Sequence, residues 1–405
     1  MNIPLSFAVW CVALFLAGCT STLPYRTTTS RDACAIDGDR RAEAAPACSQ
    51  AMIENRKDKK FSVAYVELTD QGLFHRRDQL DQALQLVRDE PATPTHVVLF
   101  VHGWKHSARF DDPNVADFNS RIMPVLAAAS PGRTVGIYVG WRGSPLEVFK
   151  SVTFYDRKSS ADHVARGSLR EVLANLRVLR QQGHGKLRVT LIGHSFGGLI
   201  LFNATSGSLM DSLIAARYAP DATAGAAPVY DLAILLNPAF EASRFEPLFQ
   251  AAKAGIDGTP GWRWPAQQRP LFVSITSEAD QATRIAFPLG RQVNTLLQHE
   301  GRTDQDPPDG PYADRVEKQA NTHTIGHYDR YRTHRLERAG PGAEAIGCRV
   351  VPNRLVGSAN HFPLWTMFAS GDVMDGHNDI YRTALWNFIV DLSLRADPAS
   401  PLCGP

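Results

Sequence analysis

The chain has 405 residues, enough for one large domain or two ordinary ones. Apolar residues make up 44% of it and charged residues 21%, a globular composition that excludes general disorder. A formal charge of +2 gives no electrostatic reason to expect a nucleic-acid partner.

From Pro4 to Ala17 the chain is apolar and uncharged, and it ends in Leu16-Ala17-Gly18-Cys19. The run is short for a membrane span. It resembles the lipobox of bacterial lipoproteins. The resemblance implies that residues 1–18 are a signal peptide, that cleavage falls before Cys19, and that Cys19 carries a lipid anchor in a membrane. One departure is visible: no Lys or Arg precedes the apolar run. In Gram-negative lipoproteins an Asp after the cysteine favours the inner membrane. Thr20 stands there instead, which implies the outer membrane, on its periplasmic or surface face. An ordinary cleaved signal and an uncleaved anchor are the alternatives.

Residues 19–60 are polar with little periodicity and read as a tether with a stapled loop. Apart from Cys11 and Cys19, the cysteines are Cys34, Cys48, Cys348 and Cys403. An even number in an exported chain suggests disulfides. Their pairing is open; joining Cys34 to Cys48 and Cys348 to Cys403 would close local loops.

Residues 61–297 read as the core of a mostly parallel sheet flanked by helices. Phe61 to Leu68 has a strand pattern, and Leu73 to Val87 has helical spacing. Continuous apolar runs follow at Val97–Val101, Thr134–Val139, Leu187–Ile192, Leu232–Leu236 and Leu271–Ile275, with a long helix over Asp162–Gln182. Apolar strands alternating with helices imply a sheet covered on both faces. Residues 298–370 are polar, then aromatic from Phe362 to Phe368, and long for a connection. They read as an insertion: a lid, a wall of the substrate pocket, or a surface excursion. Residues 371–405 return to the core, with a last helix from Asp379 to Leu394.

The run Leu187–Ile192 leads into Gly193-His194-Ser195-Phe196-Gly197-Gly198, and Leu199 begins an apolar helix. Strand, G-x-S-x-G and helix is how a serine becomes an exposed nucleophile. Gly193 and Gly197 remove side chains that would clash with the turn. A serine hydroxyl needs a base, and the base needs an orienting carboxylate. Asp280 follows the strand ending at Ile275; Glu278 is its competitor. His377 stands just before the last helix, which Asn378 or Asp379 would cap; His323, His327, His334 and His361 are its competitors. The oxyanion needs two backbone donors. Phe196 N–H supplies one, and Trp104 N–H, after His102-Gly103, supplies the other. Trp141 and Arg142 either line the pocket or pack and solvate.

Val101-His102-Gly103-Trp104-Lys105-His106, Gly193 to Gly198, and Gly376-His377-Asn378-Asp379 together resemble the α/β-hydrolase superfamily, in an esterase/lipase-like branch. The resemblance spans roughly residues 61–394. It implies an α/β-hydrolase fold, a Ser195–His377–Asp280 triad, an ester or acyl substrate such as a lipid, an acyl-enzyme on Ser195, and neither cofactor nor metal. Amide hydrolysis, acyl transfer and a non-catalytic scaffold are the competing functions. The sequence leaves the natural substrate and the oligomeric state open.

Overall fold

The structure is a computed structural model. It describes residues 23–30, 34–36, 41, 43–56, 60–142, 153–219, 221, 225–257, 263–287, 301, 316–340, 347–353 and 361–394. Among these, the strands are β1 (Ile53–Arg56), β2 (Phe61–Glu67), β3 (Thr95–Val101), β4 (Arg133–Gly140), β5 (Leu187–His194), β6 (Leu232–Leu236), β7 (Phe272–Ser277), β8 (His334–Arg338), β9 (Cys348–Pro352) and β10 (Leu364–Ala369). The longer helices are α1 (Arg77–Arg88), α2 (Thr153–Arg166), α3 (Leu169–Gln182), α4 (Phe196–Arg217), α5 (Glu246–Asp257) and α6 (Thr383–Leu394). A shorter helical stretch covers residues 113–129.

The strands form one sheet in the order β1-β2-β4-β3-β5-β6-β7-β10-β8-β9. Its interior is parallel, and only the β1–β2 and β8–β9 pairs are antiparallel. Every residue of β3 is buried, as a strand covered on both faces must be. One helical layer runs through successive contacts of α1, α3, α2, α4 and α5, while the 113–129 stretch packs against α6.

The register puts the functional edge on one line. Val101 pairs with Val139 and with Gly193, His194 with Leu236, and Leu236 with Ile275. The loops after β3, β4, β5, β6 and β7 therefore leave the sheet at the same level, where functional residues of such sheets gather.

Several expected boundaries shift. The helix expected over Asp162–Gln182 is two helices, α2 and α3. They break at Gly167, where a Cβ would stand 2.3 Å from Gly72 O, so the backbones touch. The last helix begins at Thr383 rather than Asp379, so neither Asn378 nor Asp379 caps it.

Residues 298–370 are not one excursion. β8 and β10 pair in parallel and β10 pairs with β7, so this stretch supplies three strands to the sheet. Phe362, Leu364, Trp365 and Met367 are buried in the core, which occupies the aromatic run with packing rather than with substrate. Trp264 is also core and donates to Ala252 O at 2.8 Å, while Trp262 lies outside the described residues.

The expected tether is likewise folded over most of its length. Residues 23–30 and 43–56 pack on the β2 edge, and β1 extends the sheet there. Polar composition concealed this because the charges are inside and paired. Arg26 is fully buried and donates to Glu54 Oε1 (3.0 Å), Cys48 O (3.2 Å), Ala51 O (3.3 Å) and Ala108 O (2.7 Å). Its guanidinium lies 3.7 Å from the Tyr65 ring centre. Arg41 and the Tyr65 hydroxyl also reach Glu54. Burial pushes the Glu54 carboxyl up, but Arg26 and Arg41 outweigh that and hold it below its ordinary value. Cys34 and Cys48 are disulfide-bonded. Cys348 is also disulfide-bonded, and Cys403 lies outside the described residues, as do Cys19 and residues 1–18.

Removing one partner of a buried charge pair leaves the other uncompensated. Arg26→Ala should lower stability by about 3 kcal/mol, read as a lower urea midpoint with an unchanged slope. A midpoint equal to wild type would mean Arg41 alone satisfies Glu54.

Candidate active site

Ser195 sits between β5 and α4 with φ 56° and ψ −118°, a region that serine rarely occupies. The reason is local. A Cβ on Gly197 would stand 2.0 Å from Val101 O, and one on Gly193 would stand 2.5 Å from Gly197 O. Strand end and helix start are in backbone contact, and the intervening residue takes the strain. Ser195 N donates to Leu236 O at 2.9 Å, tying the turn to β6.

His377 reaches this serine. Its Nε2 lies 2.9 Å from Ser195 Oγ and its Nδ1 lies 2.9 Å from Asp280 Oδ2. Asp280 accepts at Nδ1, so Nδ1 carries the proton and Nε2 is left as acceptor for the serine hydroxyl. The Asp280 side chain is fully buried and that of His377 is 21% exposed. Burial raises the Asp280 pKa, but His377 and the Thr283 donors outweigh it and leave the carboxyl below its ordinary value.

Asp280 is held from behind. Thr283 Oγ1 donates to Oδ2 at 2.5 Å and Thr283 N to Oδ1 at 3.1 Å. That hydroxyl has spent its proton on Asp280, so it accepts from His327 Nε2 at 3.1 Å. Glu278, the competing acid, faces elsewhere: it accepts from Arg335 (2.9 Å) and from Gly371 N (3.0 Å). Of the other competing bases, His323 donates to Gln319 O (2.8 Å) and His334 is buried against Trp365.

The loop carrying His377 is not part of a helix or strand. Its position comes from hydrogen bonds that the sequence did not single out. Asn237, buried at the end of β6 with φ 44°, donates to His377 O (2.8 Å) and Gly376 O (3.0 Å) and accepts from Ser277 N (2.9 Å). Ser277 Oγ donates to Met374 O (2.6 Å) and accepts from Gly376 N (3.1 Å). His194 Nε2 donates to His377 O at 2.9 Å. Asp379 accepts from Asp375 N at 3.0 Å, which closes the turn around His377 instead of capping α6. The available signals were an Asn directly after a buried strand and a Thr three residues after the acid, a spacing at which Thr can bond back to a carboxylate.

The loop after β3 comes close to the nucleophile. A Cβ on Gly103 would stand 3.0 Å from Ser195 Cβ and 3.1 Å from His194 O, a tight fit that a side chain would strain. Trp104 follows, and Lys105 turns the chain with φ 70°. Phe196 begins α4, directly after the nucleophile. Trp141 packs face to face on His102 and donates to His102 O (2.9 Å), so it braces this loop. Among the described residues, no group of His, Cys, Asp and Glu could hold a metal ion.

The sequence profile of the alpha/beta hydrolase family matches residues 98–369. No curated protein matches. Solved structures similar to the chain include phospholipase PlaB from Legionella pneumophila and the same phospholipase in complex with thio-NAD. Each is 15% identical and aligns with 75% of this chain, with TM-scores of 0.29 and 0.28. The chain spans 60% and 59% of the length of those structures.

Three histidines in and below the site are buried neutral. Desolvation pushes His102 and His96 down to about 4. Desolvation and then the neighbouring His377 push His194 down to about 3. In the unfolded chain such groups titrate near 6.5. Between pH 6.5 and about 4 the unfolded state therefore binds more protons, and stability falls as pH falls. The expected slope is roughly 1.4 kcal/mol per pH unit for each histidine. Urea midpoints at pH 7, 6 and 5 check this; a flat profile would contradict it.

Proposed function

The chain belongs to the α/β-hydrolase family, and on that premise we propose that it is a serine hydrolase of carboxylic esters. The proposal includes a lipid anchor on Cys19 that holds the enzyme at a membrane, where lipid esters are concentrated. What supports the chemistry most is the unbroken line Ser195–His377–Asp280, with 2.9 Å at each step.

Substrate binds with its carbonyl carbon over Ser195 Oγ. His377 Nε2 takes the hydroxyl proton as the oxygen attacks. The carbonyl oxygen becomes an oxyanion, stabilised by the N–H groups of Phe196 and Trp104. Such donors are each worth about a hundredfold or more in rate. Asp280 stays ionised and stabilises the imidazolium without taking its proton. The imidazolium then protonates the leaving alcohol as the ester C–O bond breaks, and the acyl group remains on Ser195. Water, deprotonated by the same Nε2, attacks the acyl carbon. Ser195 Oγ recovers its proton from His377, and the acid departs.

The same roles make Thr283 and Asn237 positioning residues: one fixes the carboxylate, the other the backbone of the base.

The full-length chain in detergent, wild type and Ser195→Ala, should be treated with a fluorophosphonate probe. Both should then be assayed on p-nitrophenyl esters of short and long acyl chains. Wild type should label and turn over, and Ser195→Ala should lose labelling and about 10⁴-fold of the rate or more. Equal behaviour of the two proteins, or an unlabelled wild type, would sink the proposal. The chain-length profile separates esterase from lipase preference. Thr283→Val and Asn237→Ala should each lower kcat about tenfold with little change in KM, since a small misplacement of a catalytic group costs rate rather than binding.

A further inference from the structure

We propose that the N-terminal segment is a clamp on the loop that carries the second oxyanion donor, with Arg41, Arg26 and the Cys34–Cys48 disulfide as its positioning elements. This rests on the serine-hydrolase reading above.

The loop after β3 runs from His102 to Asp112 and is held on its two sides by different parts of the chain. Within the loop, Ser107 N and Oγ donate to Asp112 Oδ2 (2.8 and 3.1 Å). His106 pairs with Asp112 Oδ1 (3.0 Å), and on the sheet side the Tyr138 hydroxyl donates to Ser107 O (3.3 Å). On the other side, two hydrogen bonds come from the N-terminal segment. Arg26 Nε donates to Ala108 O at 2.7 Å and Arg41 Nη1 to Phe110 O at 2.5 Å. The Arg41 guanidinium lies 3.7 Å from the Phe110 ring centre. Phe110 is buried in a small cluster with Cys34, Ile36, Cys48 and Ala51, which is separate from the main core. The disulfide closes the chain around that cluster.

Three features make the loop sensitive to this grip. Gly103 leaves only contact distance to Ser195. Lys105 is held in left-handed backbone, a conformation that persists only where surrounding structure fixes it. Trp104, the donor, lies between these two. Releasing Ala108 and Phe110 lets Lys105 relax and moves the Trp104 N–H, and an oxyanion hole tolerates only about half an ångström.

Arg41 separates the clamp from simple stability. It donates to both Glu54 oxygens (3.1 and 3.2 Å) and to Phe110 O at once, with different nitrogens. A lysine keeps the charge beside Glu54 but has no fork to span both sites. Arg41→Lys, Arg41→Ala and the Cys34→Ala/Cys48→Ala double variant should be made in the full-length chain. Each is assayed for kcat and KM on p-nitrophenyl butyrate, for urea midpoint, and for hydrogen exchange of amides 104–112.

Arg41→Lys should keep a near-wild-type midpoint, exchange faster over 104–112, and lose about tenfold in kcat with KM within about twofold. Arg41→Ala and the cysteine variant should lose at least as much kcat. Wild-type kcat and exchange in Arg41→Lys would overturn the clamp, as would faster exchange with unchanged kcat. If wild type itself turns over no ester, the hydrolase reading fails. Exchange then decides the mechanical half alone: faster in Arg41→Lys upholds the grip, unchanged removes it.

Discussion

The backbone contact between the start of α4 and the end of β3 sets the rest of the site. β3 and β5 are neighbours in register at Val101 and Gly193, and α4 must begin almost at once to pack over them. With Gly197 against the Val101 carbonyl, there is room for a single residue in the turn. Ser195 takes it, in backbone angles that cost about 1–3 kcal/mol. Leu199, Ile200, Leu201 and Phe202 follow in the helix, each buried. Burying one such side chain is worth about 1.5–3 kcal/mol, so the first turns of α4 offset the strain several times over. The strained serine turn is a by-product of apolar packing behind it.

The base has no comparable packing. His377 lies in a loop, and its ring is the most exposed part of the triad. Its fixity comes from hydrogen bonds among buried polar groups: His377 O accepts from both Asn237 and His194, and Ser277 holds Met374 and Gly376. Asn237 directly follows β6 and His194 ends β5, so the loop is tied to the same strands that fix the nucleophile. Serine and base are thus referenced to one frame. Such a network is valuable only when complete, because a lost partner leaves a buried acceptor or donor unpaired.

This division explains what the sequence made legible. Strands buried on both faces write themselves as apolar runs, so β3 to β7 could be read to within a few residues. The nucleophile turn was readable because its glycines, its serine and the apolar run after it are contiguous in sequence, even though the contact that demands Gly197, with Val101 O, comes from far along the chain. Asp280 over Glu278 was harder, since two carboxylates two residues apart look alike in sequence. Here Thr283 meets the Asp280 carboxylate, while Arg335 on β8 takes Glu278. Thr283 is a local mark of the acid, whereas Arg335, which takes Glu278, arrives from far along the chain. The tether reading failed for a related reason. Composition counts Arg26, Arg41 and Glu54 as solvated charges, and only tertiary structure reveals that they neutralise one another inside.

The additions at the sheet's two ends follow one logic. A parallel sheet has open edges, and an open edge is a template for unwanted pairing. At one end β1 lies antiparallel on β2, and its outer edge is met by Cys34 to Ile36 through Asn55 N to Cys34 O (3.1 Å) and Ile36 N to Asn55 O (2.9 Å). At the other end β9 lies antiparallel on β8 and begins at Cys348. Both additions are short, with little surface of their own to bury. Each also carries a disulfide-bonded cysteine, Cys34 at one end and Cys348 at the other. Covalent closure limits the freedom of an unfolded segment where burial alone would not. At the β1 end Cys34 and Cys48 form a cluster of their own beside the main core, and the segment they staple also touches the loop that faces Ser195.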